Sequence, residues 1–176
     1  MRETYTPLQR TLHWLTVLAL IVQYALGWLM PHLRRGVVPS ELNNLHMSFG
    51  FVVLAILATR LFVRLKEGAP ADEPSLPQWQ RLAAHMVHWA LYALLVTFIV
   101  TGWIFTSVRG WQLTFFDLFP IPAIAPKDWE LGHSIGEIHH LLAWPFVGIV
   151  VLHVSAALWH HFIRRDGVLK RMLPQA

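Results

Sequence analysis

The 176 residues are 55% hydrophobic and only 14% charged, whereas ordinary soluble domains carry ~25% charged residues, so the composition excludes that class in favour of an integral membrane protein. The chain has no cysteine, which rules out c-type haem attachment, protein-held iron–sulfur clusters and disulfides. A net charge of +4 does not make a nucleic-acid surface here, because the basic residues flank apolar runs instead of forming a stripe on one soluble face.

Four apolar runs follow in chain order, Leu12 to Met30, Leu45 to Leu65, Leu82 to Phe105 and Ile135 to Ile163. Each is long enough to cross a bilayer, which takes about 20 residues at a helical rise of about 1.5 Å. They predict an all-α integral membrane four-helix bundle, with helices near 12–30, 45–65, 82–105 and 135–163 in one domain spanning 1–176. The polar lead, Met1 to Thr11, carries two arginines. No cleavable signal is expected, since Trp14, Gln23 and Tyr24 lie in the first run and further spans follow. Pro31 to Asn44 is a turn-rich connection. The second run ends in RLFVRLK, residues 60–66, whose basic stems can snorkel to an interface.

Residues 67–79, EGAPADEPSLPQW, hold three prolines and predict a loop. The longest connection, Thr106 to Ser134, contains WQLTFFDLFPIPAIAP and is too irregular and proline-broken to cross a bilayer. It is expected to cover one end of the bundle and shape access for a donor or acceptor. The fourth run carries Pro145, where a kink is expected. Ten Lys and Arg fall on the side of the termini and four, Arg34, Arg35, Arg109 and Lys127, on the other. That places both termini of the multi-pass chain in the cytoplasm.

Eleven histidines stand out against the missing cysteines, and those that fall within the apolar runs include His13, His46, His85, His88, His139 and His153. An ionisable residue inside a membrane is a functional hypothesis by default. His139 and His153 are fourteen residues apart in one run, a rotation of about 1400°, some 40° short of four turns, with an axial separation of about 21 Å. Both face one side of the fourth helix, one toward each membrane surface. A single metal ion cannot bridge that distance, but two cofactors stacked across the membrane can. Each then needs a second ligand at matching depth, and antiparallel topology sets His13 level with His153 and His46 level with His139. Bis-histidine ligation fills both axial positions of a haem iron and favours electron transfer over oxygen binding.

His85 and His88 are rivals for the cytoplasmic-side site, because spacing alone does not set the rotation of the third helix. A supporting contact to a ligand or a propionate is the alternative. His140 must point about 100° away from His139 and fits an interhelical or interfacial place, whereas His133 and His32 fit solvated loops. His160 falls near the His153 face two turns on. There it can exchange a proton with a quinone, or simply sit at the interface beside His161. Arg60 and Arg64, one turn apart at the same level, are candidate propionate partners or snorkelling anchors.

With LQRTLHW around His13, LHMSFG around His46, RLFVRLK at 60–66, HMVHWALYALL at 85–95 and HHLLAWPFVGIVVLHVSAALWHHF in the fourth run, the chain resembles the bacterial cytochrome b561 family. That family is related to the cytochrome b subunits of hydrogenases and formate dehydrogenases. The resemblance covers nearly the whole chain and is weak in the loop Thr106 to Ser134. It implies a multi-pass protein of the bacterial inner (cell) membrane with two haem b groups, iron ligands His13, His46, His139 and His153, and electron exchange with a quinone pool, ubiquinone being the acceptor. In the closest-looking members it also implies oxidation of superoxide at the outer face. A cationic funnel for that anion would draw on Arg34, Arg35, Arg109 and Lys127, opposed by Asp117, Asp128, Glu130 and Glu137. A membrane-anchor cytochrome b subunit, passing electrons from a partner dehydrogenase or hydrogenase to quinone, is the second reading. A haem-free, histidine-lined metal or proton transporter is the third, weakened because the runs carry almost no Asp or Glu apart from Glu137.

Overall fold

A computed structural model describes residues 4–31 and 38–173. Arg2, His32, Arg34 and Arg35 lie outside the described residues. Four long helices make up the bulk: α1 Pro7–Leu29, α2 Glu41–Glu67, α3 Gln78–Val108 and α4 Trp129–Trp159. All four are long and apolar enough to cross a membrane. Each starts several residues before its apolar run, and polar caps close the starts of α1, α2 and α4. Thr6 accepts from the Gln9 N–H and the Gln9 side chain reciprocates, with Pro7 at the first helical position. Ser40 and Asn43 form the same box for α2, and Asp128 caps α4 through the Leu131 N–H. Gly68, at φ 73°, ends α2 after its basic last turn.

The long third connection departs from the irregular loop expected. It holds a hairpin of β1 Leu113–Phe115 and β2 Phe119–Ile121, paired antiparallel with Leu113 opposite Ile121. Phe116 and Asp117 take left-handed backbone, φ 47° and 58°, to make the turn. The hairpin is pinned to α2, since Asn44 Nδ2 donates to Asp117 Oδ1 at 2.8 Å and the buried Ser48 hydroxyl donates to the Thr114 carbonyl at 3.1 Å. With α4 starting at Trp129, His133 sits exposed on a helix and not in a loop. Pro145 lies inside α4, which continues to Trp159 and then widens into a π-helical turn, His160–Arg164.

The helices alternate in direction and pack chiefly as two antiparallel pairs, α1 on α2 and α3 on α4. Backbones approach far less between the pairs, and the side chains that meet there are aromatic, aliphatic and imidazole. Leu57, Leu95 and Phe146 are buried at that divide, with Tyr24, Tyr92 and Phe98 against them. Large apolar side chains such as Leu18, Ile21, Phe62 and Leu141 face outward, as the lipid surface of a membrane bundle requires. At the end carrying the termini, Gln9 Nε2 donates to the Gly68 carbonyl and Arg10 Nη1 to the Leu173 carbonyl. Arg171 reaches the Ala71 carbonyl there. The opposite end carries the hairpin.

Candidate functional site

Four histidines meet as two pairs across the divide. At the terminal end His13 of α1 faces His153 of α4, with ring centroids 6.3 Å apart. At the hairpin end His46 of α2 faces His139 of α4 at 6.5 Å. An imidazole nitrogen bonds a first-row transition metal at about 2.0–2.1 Å and stands about 1.2 Å from its ring centre, so two imidazoles trans on one iron hold their centroids about 6.4 Å apart. Both pairs stand at that spacing.

The surroundings of the two pairs differ. Thr101 Oγ1 lies 3.1 Å from His139 Nδ1 while bonding the Thr97 carbonyl at 2.8 Å. With its one proton on that carbonyl, its oxygen is free to accept from Nδ1–H, the tautomer that leaves His139 Nε2 a bare lone pair. His46 is held by Gln23, whose Nε2 donates to the His46 carbonyl at 3.0 Å and lies 3.3 Å from its Nε2. A Cβ added at Gly27 would stand 3.1 Å from His46 Cε1, and one at Gly102 would stand 3.2 Å from His139 Cε1. Each ring therefore lies flush against a glycine of the helix paired with its own. Phe98 edges the His139 ring at 5.1 Å and Phe146 at 5.7 Å, and Tyr24 stacks on Phe146 at 6.0 Å. This aromatic layer fills the level between the two pairs.

The terminal-end pair is surrounded by charge. Arg60 Nη2 lies 2.9 Å from His13 Nδ1, with its guanidinium over the Tyr92 ring, and Arg64 sits over Trp89. His88 joins the cluster, 5.4 Å from His153 between centroids, closer than two trans imidazoles stand. His85 does not, being exposed beside Asp72 at 3.3 Å. His160 is buried, its Nδ1 2.6 Å from Asp166 Oδ2. That distance marks a charge-assisted hydrogen bond donated by Nδ1–H. Asp166 Oδ1 also accepts from the Val168 N–H.

At the hairpin face two adjoining depressions of about 400 and 790 Å³ meet along Gly110 to Leu113, with Lys127 lining the smaller and Arg109 the larger. Arg109 lies 4.0 Å over the Trp129 ring and beside Phe105 and Trp111. Asp117 and Asp128 are engaged in the hairpin and the α4 cap. Thr101, Gln23, Gly27, Gly102 and Asp166 are the residues that sequence reasoning missed. Gly27 and Gly102 carried a usable signal, since each falls at the depth of a histidine on the adjacent helix.

A membrane bundle of four apolar helices with imidazoles paired at two depths is the architecture of a membrane cytochrome b. The chain belongs to the prokaryotic cytochrome b561 family, whose sequence model matches residues 4–175. It is 32% identical to cytochrome b561 homolog 2 of Escherichia coli (strain K12) over 97% of this chain and 92% of that protein. It is 29% identical to the probable superoxide oxidase CybB of Yersinia pestis over 99% and 98%, and 27% identical to cytochrome b562 of Cereibacter sphaeroides over 96% and 94%. As a member it is a membrane-embedded oxidoreductase-type protein that binds b-type haem and carries electrons across the membrane.

Proposed function

We propose that the chain holds two haem b groups, one between His13 and His153 and one between His46 and His139, and moves electrons from a donor at the hairpin face to a quinone at the terminal face. The observation that carries this reading is the ring spacing of 6.3 and 6.5 Å at two separate depths. The Thr101 hydroxyl within hydrogen-bond reach of His139 Nδ1, the nitrogen away from the iron in an Nε2-bound ring, and the sparse backbone approach between the helix pairs also support it. Bound there, the haems supply reversible one-electron carriage between the two faces.

The excess of Lys and Arg on the terminal side supports a cytoplasmic terminal face and a bacterial inner-membrane location. The hairpin face then looks outward. The donor proposed is superoxide. The name of the Yersinia pestis relative and the two cationic side chains lining the outer depressions, Arg109 and Lys127, favour a small anion. Quinone reduction needs protons, and His160 with Asp166 is the candidate relay at the inner edge. With Nδ1 bonded to the carboxylate, Asp166 orients the imidazole and leaves Nε2 to exchange the proton. Arg60 and Arg64 lie at the level where propionates of the inner haem would need cationic partners.

The first test is a pyridine haemochrome ratio with a reduced-minus-oxidised spectrum of the purified chain. Two low-spin b haems per chain are expected; a ratio of one removes one of the two pairs. Stopped-flow mixing with superoxide and ubiquinone then tests the donor. Absence of haem reduction by superoxide favours a subunit that takes electrons from a partner dehydrogenase.

A further inference from the structure

The ring planes of the hairpin-end pair cross at 85° and those of the terminal-end pair at 63°. At the hairpin end, packing fixes the planes. A Cβ added at Gly27 of α1 would stand 3.1 Å from His46 Cε1, and one added at Gly50, a turn after His46 on α2, would stand 3.6 Å from the amide of Gln23, a turn before Gly27. Each helix thus lays one side chain on the other's glycine. The second pair of helices repeats the pattern. A Cβ at Gly102 of α3 would stand 3.2 Å from His139 Cε1, and one at Gly136, a turn before His139 on α4, would stand 2.7 Å from Phe105, a turn after Gly102. Only glycine leaves room for so close an approach. Phe98 then edges the His139 ring at 88°, and Gln23 ties down the His46 carbonyl. Among the described glycines, none meets a ring of the terminal-end pair so closely.

Resting on the proposed ligation of a haem iron by His46 and His139, we infer that Gly27 and Gly102 are positioning residues that hold these two rings with their planes crossed. Neighbours that orient a ligand tune its metal as surely as the ligand itself does. A methyl group at either glycine would push the ring edge by a few tenths of an ångström, and a close-packed helix interface leaves the ring little choice but to turn. Crossed planes have a signature. In low-spin ferric iron the unpaired electron occupies d orbitals that overlap the imidazole π systems. Parallel rings raise one of these orbitals above the other, whereas crossed rings act on both alike. The orbitals then stay close in energy, and the largest g value in electron paramagnetic resonance is high. It falls as the planes rotate toward parallel. A ring that cannot turn also keeps one geometry in both oxidation states, which suits a site that passes single electrons.

The experiment takes the spectrum of the oxidised, purified full chain at low temperature, with the haem-to-protein ratio measured on the same sample. The signal that disappears in His139→Ala belongs to the hairpin end. In the parent it should have the larger of the two highest g values, because its ligand planes lie closer to perpendicular. Gly27→Ala and Gly102→Ala should each shift that value downward with two haems retained and the terminal-end signal unmoved. Two controls add the same methyl to the same kind of helix. Gly148→Ala meets nothing within 4 Å, and Gly50→Ala makes only an ordinary contact at 3.6 Å, so both should leave the two signals where they are. A glycine with a merely structural role would alter stability or haem content without moving g. A hairpin-end signal with the smaller g value in the parent overturns the inference whatever the variants do. So does an unmoved signal in Gly27→Ala and Gly102→Ala, or an equal shift in Gly148→Ala. Loss of the hairpin-end haem from both Gly27→Ala and Gly102→Ala overturns it as well, since the glycines would then provide room and not orientation. Fewer than two haems in the parent sinks the ligand assignment itself, whereas two haems with an unmoved signal sink only the role of the glycines.

Discussion

The two histidine pairs share one spacing and almost nothing else. The hairpin-end pair is held by neutral groups: a threonine hydroxyl, a glutamine amide and two glycines against which the rings lie. A hairpin pinned to α2 caps it. The terminal-end pair lies among arginines and a third imidazole, His88. An oxidised haem carries one more positive charge than a reduced one, so nearby cations favour the reduced form and raise the potential. With haem held at both pairs as proposed, the comparison teaches that one histidine pattern, repeated at two depths, would be tuned by its neighbours into an uphill and a downhill end, and electrons entering at the hairpin face would run downhill toward the terminal face.

The largest expected effect breaks the pairs one at a time. His139→Ala should leave one haem per chain, bound at the terminal end, and His153→Ala should leave the other; two haems retained in either variant would end the assignment. A smaller effect sharpens the contrast at the terminal face. Asp166→Asn should slow quinone reduction roughly tenfold, the scale on which a lost orienting partner acts, with the haem spectrum and haem reduction by the donor unchanged. An unaltered quinone rate would reduce the His160–Asp166 pair to a helix-end contact. Next, Arg60→Leu should lower the midpoint potential of the terminal-end haem by about 60 mV, equal to about 1.4 kcal/mol for one electron, while the hairpin-end potential stays. Equal shifts at both ends would mean that the arginine is not a local tuner.

Much of this architecture was legible in the residues because membrane physics leaves few options. Apolar runs of bilayer length must be helices, and the fourteen-residue spacing from His139 to His153 puts both rings on one face whatever surrounds them. The meeting of His13 with His153 and of His46 with His139 follows from depth alone, and the rings do face each other in the structure. What was not legible depends on rotation and on short-range chemistry. That His88 turns inward while His85 turns out to Asp72 depends on the roll of α3. Asp166 lies beyond the last helical turn and reaches His160 only because the chain widens and then reverses at Arg165, φ 55°. The β-hairpin was hidden because Phe, Pro and Ile in a proline-broken segment carry no alternation that a helix reader or a strand reader would trust. Helix starts were placed too far inward because the first helical turns are largely polar and fall outside the apolar runs.

The smallest expected effect is the most local. With His139 bound to iron through Nε2 as proposed, Thr101 would accept from Nδ1–H and make the imidazole more electron-rich and a better ligand for oxidised iron. Thr101→Val keeps nearly the same shape and deletes that acceptor. The Thr97 and Phe98 carbonyls lose only a side-chain donor, and they remain within the helical ladder of α3. Oxidised iron should lose stabilisation on the scale of one hydrogen bond, about 1 kcal/mol, so the hairpin-end potential should rise by roughly 40 mV. The terminal-end potential should not move, because Thr101 touches nothing there. A redox titration that resolves the two haems decides it. A rise confined to the hairpin-end haem places the hydroxyl among its tuning groups, and a shift in the other haem would mean that the two ends communicate through the Phe98 and Phe146 layer and are not tuned independently.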